Sequence, residues 1–193
     1  MKTRLRTVCL VLLLISSFIA AMTSSLFAGE KPPATRATPS DQTEVRSAVQ
    51  HIFEQLKAGK YEALYDSLPS STRARMTRDR FVAALQNTRN LYQLDRIEIG
   101  AVRVSGDLAV VDTVMYARIA QPFNADGKLV VQQYLVREDG SWRVATGDRA
   151  TIDRFLKSNP SFARRFPIKR PRPFIKQNGQ WVEFQPPARK PST

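Results

Sequence analysis

Two spacings of apolar residues divide this chain. Val45, Val49, Ile52, Phe53 and Leu56 recur at helical spacing and form one stripe. Beyond Leu94 the pattern changes to short β-branched and apolar runs between turn signals, and Leu94–Asp148 reads as three or four antiparallel strands. Asp41 to Glu44 matches a capping box that opens the first helix, and Gly59 ends it. Tyr61, Leu64, Tyr65 and Leu68 make a second, short amphipathic helix that stops at Pro69. Thr77 caps a third, with Phe81, Val82, Leu85 and Ala84 facing inward.

The strand region carries its own turns. Leu108–Ile119 is apolar or β-branched at most positions, and Gly106-Asp107 folds Ile97–Val104 back onto it. Asn124 to Gly127 is the next turn signal, before a strand at Leu129–Arg137. Asp139-Gly140 then closes a two-residue hairpin onto Trp142–Thr146, because both positions need positive φ. That register sets Leu135 opposite Val144 and Arg137 opposite Trp142. Val131, Leu135, Trp142 and Val144 form the core face. The opposite face carries Val110, Val114, Tyr116, Val130, Tyr134 and Val136, too many apolar groups to lie bare.

Helices first and an antiparallel sheet after them make an α+β domain, with the helices packed on a curved sheet of about four strands. Val49–Leu56 with Gly59-Lys60-Tyr61-Glu62-Ala63-Leu64, then Thr77–Phe81, then Asp139-Gly140-Ser141-Trp142-Arg143-Val144 resemble the nuclear transport factor 2-like superfamily. The resemblance covers residues 44–147 and implies a cone-shaped, cystatin-like α+β fold. Members include isomerases, cyclases, dehydratases and non-enzymatic binding domains, so it implies no single activity.

The rest of the chain frames this domain. Lys2, Arg4 and Arg6 precede the apolar run Val8–Met22, a secretory signal expected to end near Ala28, with an uncleaved membrane anchor as the alternative. Export to the periplasm or beyond follows. Cys9, the only cysteine, lies in that signal, so the mature chain has no disulfide. Gly29–Ser40, with three prolines, reads as a flexible linker before the domain at 41–148.

Residues 149–193 form a basic, aromatic extension. They hold eleven Lys and Arg against Asp153 and Glu183, while residues 29–148 are nearly neutral, so most of the chain's formal +13 sits at its end. Phe155, Phe162, Phe166, Phe174, Trp181 and Phe184 are more aromatics than a disordered tail carries. Thr151–Ser158 reads as a short helix ended by Asn159-Pro160. Phe174–Gln177 and Gln180–Phe184 flank Asn178-Gly179, a hairpin that repeats the Asp139-Gly-Ser-Trp142 pattern and sets Lys176 against Trp181. The aromatics suit docking on the domain's second face, with Phe162, Phe166 and the hairpin as its lid. A second copy of the chain on that face is the other cover. Arg164, Arg165, Lys169, Arg170 and Arg172 suit an anionic component of the cell envelope, and nucleic acid is not the expected partner of an exported chain.

Candidate chemistry is sparse. One histidine and no mature cysteine leave too few ligands for a transition-metal site and too few parts for a Ser-His or Cys-His nucleophile, and His51 falls on the polar side of its helix. No phosphate loop and no cofactor motif is present. Asp112, Tyr116 and Arg118, on one strand face, together with Tyr134, are the weak acid–base candidates, with Asp112 and Tyr116 as the pair an isomerase or hydratase would use. A non-enzymatic binding domain is the leading reading and that enzyme the alternative. An acid–base pair inside the cone favours the enzyme; a cone lined by Leu, Val and Phe favours binding.

Overall fold

The computed structural model describes residues 39–120, 123–145 and 149–184. The expected export signal, Cys9, the linker as far as Thr38, Thr146 and the last nine residues lie outside them.

Helices α1 (Pro39–Lys57), α2 (Tyr61–Asp66), α3 (Ser70–Arg73) and α4 (Arg78–Thr88) precede strands β1 (Tyr92–Ser105), β2 (Leu108–Ile119), β3 (Ala125–Glu138) and β4 (Ser141–Val144). Helices α5 (Arg149–Ser158) and α6 (Pro160–Arg165) follow, then strands β5 (Arg172–Gln177) and β6 (Gln180–Glu183). Helix α1 buries Val45, Val49 and Phe53 against β1 and β4, and α2 packs on α1 and α4. Thr77 caps α4 by accepting from the Arg80 N–H at 3.4 Å. Phe81, Val82 and Leu85 are half-buried, whereas Ala84, expected inward, is exposed.

Helix α1 begins two residues before Asp41. Pro39 suits a first turn because its missing N–H would have no partner there. Asp41 is therefore inside the helix, and its carboxylate pairs with Arg137 of β3 rather than closing a capping box. Helix α3 has no signal of its own. Glu138 holds it from the sheet, accepting from the Ser70 N–H at 2.8 Å and the Ser70 hydroxyl at 3.1 Å.

The sheet has six antiparallel strands rather than about four. Its order is β1-β2-β3-β5-β6, and β4 shares the outer edge of β3 with β5. The tail hairpin is thus part of the sheet: Gly127–Val130 pairs with Arg172–Ile175. It does not lie over the second face as a lid, because the lower half of β3 offers it an unpaired edge below the four-residue β4.

The turns at Gly106-Asp107, Asp139-Gly140 and Asn178-Gly179 form at the expected places, with Asp139 at φ 51° and Asn178 at φ 49°. The Asn124–Gly127 turn does not. The chain reverses between Ile119 and Ala125, and Gly127 lies inside β3, between Ala117 and Ile175. A side chain there would meet Ile119 Cγ1 at 2.7 Å, so glycine serves close packing rather than a turn.

Bulges between Leu94 and Ile97, and between Ile99 and Val102, bend β1 around α1. Arg46 of α1 donates to the Ile99 and Gly100 carbonyls at 2.9 and 2.8 Å, satisfying groups at the second irregularity. Two cores result. The inner one joins Val45 and Val49 to Val111, Leu135, Trp142 and Val144. The second lies on the opposite face, where Ile152 and Phe162 of α5 and α6 close over Val110 and Tyr134.

Candidate functional site

The residues singled out for acid–base work lie on the face away from α1. Asp112 of β2 pairs with Gln132 of β3, and Arg103 of β1, whose own ladder partner is Val110, reaches it with its side chain. Its carboxylate accepts from Arg103 at 2.8 Å and from Lys169 Nζ at 3.1 Å. Burial pushes the Asp112 carboxyl up, but the hydrogen bonds and charges of Arg103 and Lys169 outweigh it and hold the group below its ordinary value. Such a carboxylate is a poor base. Gln132, buried beside it, accepts from the Tyr134 hydroxyl at 3.0 Å and from the Lys169 N–H at 2.7 Å. Asp112, Gln132 and Tyr134 therefore form one network, and its product is a fixed position for the chain after α6.

Tyr116 is not part of it. The Arg96 guanidinium lies 3.6 Å from the centre of its ring, and Trp181 meets it edge-on at 6.1 Å. Burial and then Glu98 raise the Tyr116 phenol above its ordinary value, with Arg96 opposing them. Asp112 and Tyr116 share a strand face, yet each is engaged by different partners.

The basic residues of the tail divide in two. Lys169 is held by Asp112, and Arg172 is clamped on Glu183 with contacts of 2.6 and 3.1 Å. Arg164, Arg165 and Arg170 are exposed. Arg164 and Arg165 close the last turn of α6, where cations suit the helix dipole. Arg137 and Lys176 each stack on the tryptophan across the strand, at 4.5 and 5.9 Å. His51 is exposed and bonds only Gln55 among the described residues. Those residues hold no group of three or more metal-binding side chains.

Tyr116 lines a polar cleft of 630 Å³ with Arg96, Arg118, Asp126 and Trp181. An apolar cavity lies on the other face, between the helices and the sheet. A space of 440 Å³ is lined by Ile52, Phe53, Phe81, Leu85, Met115 and Val131, among others. That volume is ordinary for a small-molecule site. Gln133 is the only polar side chain of the lining among the described residues. Asp112, Tyr116 and Tyr134 do not line it. Helical spacing supplies the α1 and α4 side, and the parity shared by Met115, Leu129, Val131 and Gln133 supplies the sheet side. That parity was readable in the sequence. The space between was not, because it depends on how far the helices stand from the sheet.

No family model matches this chain, and no curated protein matches it. Among solved structures it is similar to a domain of unknown function with a cystatin-like fold from Nostoc punctiforme, at 15% identity over 67% of this chain and 93% of that one, TM-score 0.41. It is similar to a nuclear transport factor 2-like protein with a cystatin-like fold from Novosphingobium aromaticivorans, at 15% identity over 59% and 88%, TM-score 0.39. It is also similar to an LEH-like epoxide hydrolase of M. tuberculosis, at 14% identity over 66% and 98%, TM-score 0.39. The likeness is one of fold.

Proposed function

We propose that this chain is an exported, non-enzymatic binding domain that holds a small apolar molecule between its helices and its sheet. The observation that carries the reading is the lining of the 440 Å³ cavity, where Leu, Ile, Val, Phe and Met side chains surround a single amide. Burial of an apolar ligand there removes its surface from water at little polar cost. Acid–base chemistry would need a proton-transferring group at the ligand. The acid singled out for that task lies on the far face, fixed as a carboxylate by Arg103 and Lys169. Export rests on the basic start and apolar run at Met1–Met22.

The test is titration of the full chain with an apolar naphthylamine dye, whose fluorescence rises on leaving water. Wild type binds it. Val131→Trp, which fills the cavity, abolishes binding while circular dichroism shows the fold retained. Equal dye binding by that variant places the ligand elsewhere and sinks the reading. Epoxide or enone turnover lost in Asp112→Asn would establish the enzyme instead.

A further inference from the structure

Two more cavities adjoin the first, and Leu56 lines all three. One, of 380 Å³, exists because the tail hairpin extends the sheet. Pro173, Ile175 and Phe184 wall it from the tail, and Leu94, Ala117 and Phe123 from the domain. It shares Leu56, Met115 and Leu129 with the central cavity, so the two apolar spaces lie end to end along β2 and β3. The other, of 310 Å³, is polar and borders both apolar spaces, sharing Leu56 and Leu85 with the central one and Leu56, Tyr92 and Leu94 with the one the hairpin walls. Lys57 and Arg89 stand in its wall, and no acid does among the described residues. Asp95 lies next along the chain, but its carboxylate is taken by Arg96 at 3.1 Å and its carbonyl accepts from Lys57. Arg89 sits over Gly59, where an added methyl would lie 3.8 Å from the guanidinium carbon.

We infer that the ligand is a single-chain amphiphile with an anionic head, of the alkyl carboxylate class. This rests on the binding reading above and names its ligand. The head meets Lys57 and Arg89 in the polar vestibule. The chain enters past Leu56, fills the central cavity and runs on past Leu129 into the space the hairpin walls. The tail hairpin is then part of the binding site, whereas a compact ligand confined to the central cavity would meet only Ile152 and Pro171 of the tail. Cations without a competing carboxylate suit a carboxylate head. Two apolar spaces in line suit a long chain, since each methylene buried adds roughly a factor of four to affinity.

The full chain, stripped of lipid, is titrated with octanoate, dodecanoate and hexadecanoate and with hexadecanol. Affinity should rise at least roughly tenfold from octanoate to hexadecanoate, and hexadecanoate should bind more tightly than hexadecanol. Ile175→Trp, which fills the space the hairpin walls and is not in the central lining, should erase the gain with chain length and keep octanoate binding. Lys57→Gln with Arg89→Gln should weaken hexadecanoate roughly tenfold and leave hexadecanol unchanged. Equal affinity for octanoate and hexadecanoate, or for acid and alcohol, overturns the inference. If no amphiphile binds while the naphthylamine dye still does, the amphiphile falls and the binding reading stands. If neither binds, both fall.

Discussion

Trp142 and Trp181 follow the same turn pattern and meet different fates. Trp142 is 8% exposed in the inner core, whereas Trp181 is 36% exposed near the sheet edge. Trp142→Ala should cost about 3–5 kcal/mol, a large share of the roughly 5–15 kcal/mol of a typical domain. Trp181→Ala, with little core packing to lose, should cost under about 1 kcal/mol. Urea midpoints of the two variants check the pair, and equal losses would put Trp181 in a core. Asp112 gives a pH dependence. Its folded pKa lies below the unfolded value, so its stabilisation is complete above the unfolded pKa and is lost as pH falls through the folded one. Asp112→Asn should therefore be less stable than wild type at pH 6, and the gap should close as the medium is acidified below about pH 4. A gap that persists in acid would mean the Asp112 charge contributes nothing.

At the scale of elements, the tail performs two jobs that its sequence joins in one segment. Helices α5 and α6 place Ile152 and Phe162 on Tyr134 and Val110, and Phe162 meets Phe166 edge-on with ring centres 5.0 Å apart. The hairpin then adds β5 to β3. Truncation after Asp148 should bare an apolar face and a strand edge together. The expected result is a lower unfolding temperature with new self-association, read by calorimetry and light scattering. A truncated chain that melts and migrates like the whole one would show the tail to be independent of the domain. That aromatics of the tail cover the second face was legible from two unmatched sets of apolar residues. The sequence also showed the hairpin, through Asn178-Gly179, but not its place. An edge is free only because β4 is short, a fact about β3's neighbours rather than about the hairpin. Pro160 was legible as the end of α5, and it also opens α6, since proline suits a helix's first turn.

For the whole molecule, charge and shape separate. Arg164, Arg165 and Arg170 face outward, whereas Lys169 and Arg172 are spent on internal ion pairs. If the tail meets an anionic envelope surface, replacing the first three by Gln should weaken binding to anionic phospholipid vesicles and its salt sensitivity, at a cost in stability of about 1 kcal/mol from the lost helix-dipole contacts. Vesicle co-sedimentation across salt concentrations measures this, and unchanged binding would remove those arginines from any such contact. Mass spectrometry of the mature chain should find an N-terminus near Gly29. An intact Met1 on membranes would favour the anchored alternative.

The sequence by itself determined the local and periodic features. Helical stripes, strand parity and the three Asx-Gly or Gly-Asp turns follow from side-chain spacing and from backbone freedom at single positions. These are enough for the α+β class and for both faces of the sheet. Tertiary structure alone decided the rest. It made six strands of about four by offering the hairpin an edge, moved Gly127 from a turn into a strand, and tied Asp112 to Lys169, fifty-seven residues away. It also decided the cavities, because an empty volume belongs to the gap between packed elements and to no residue's own propensity.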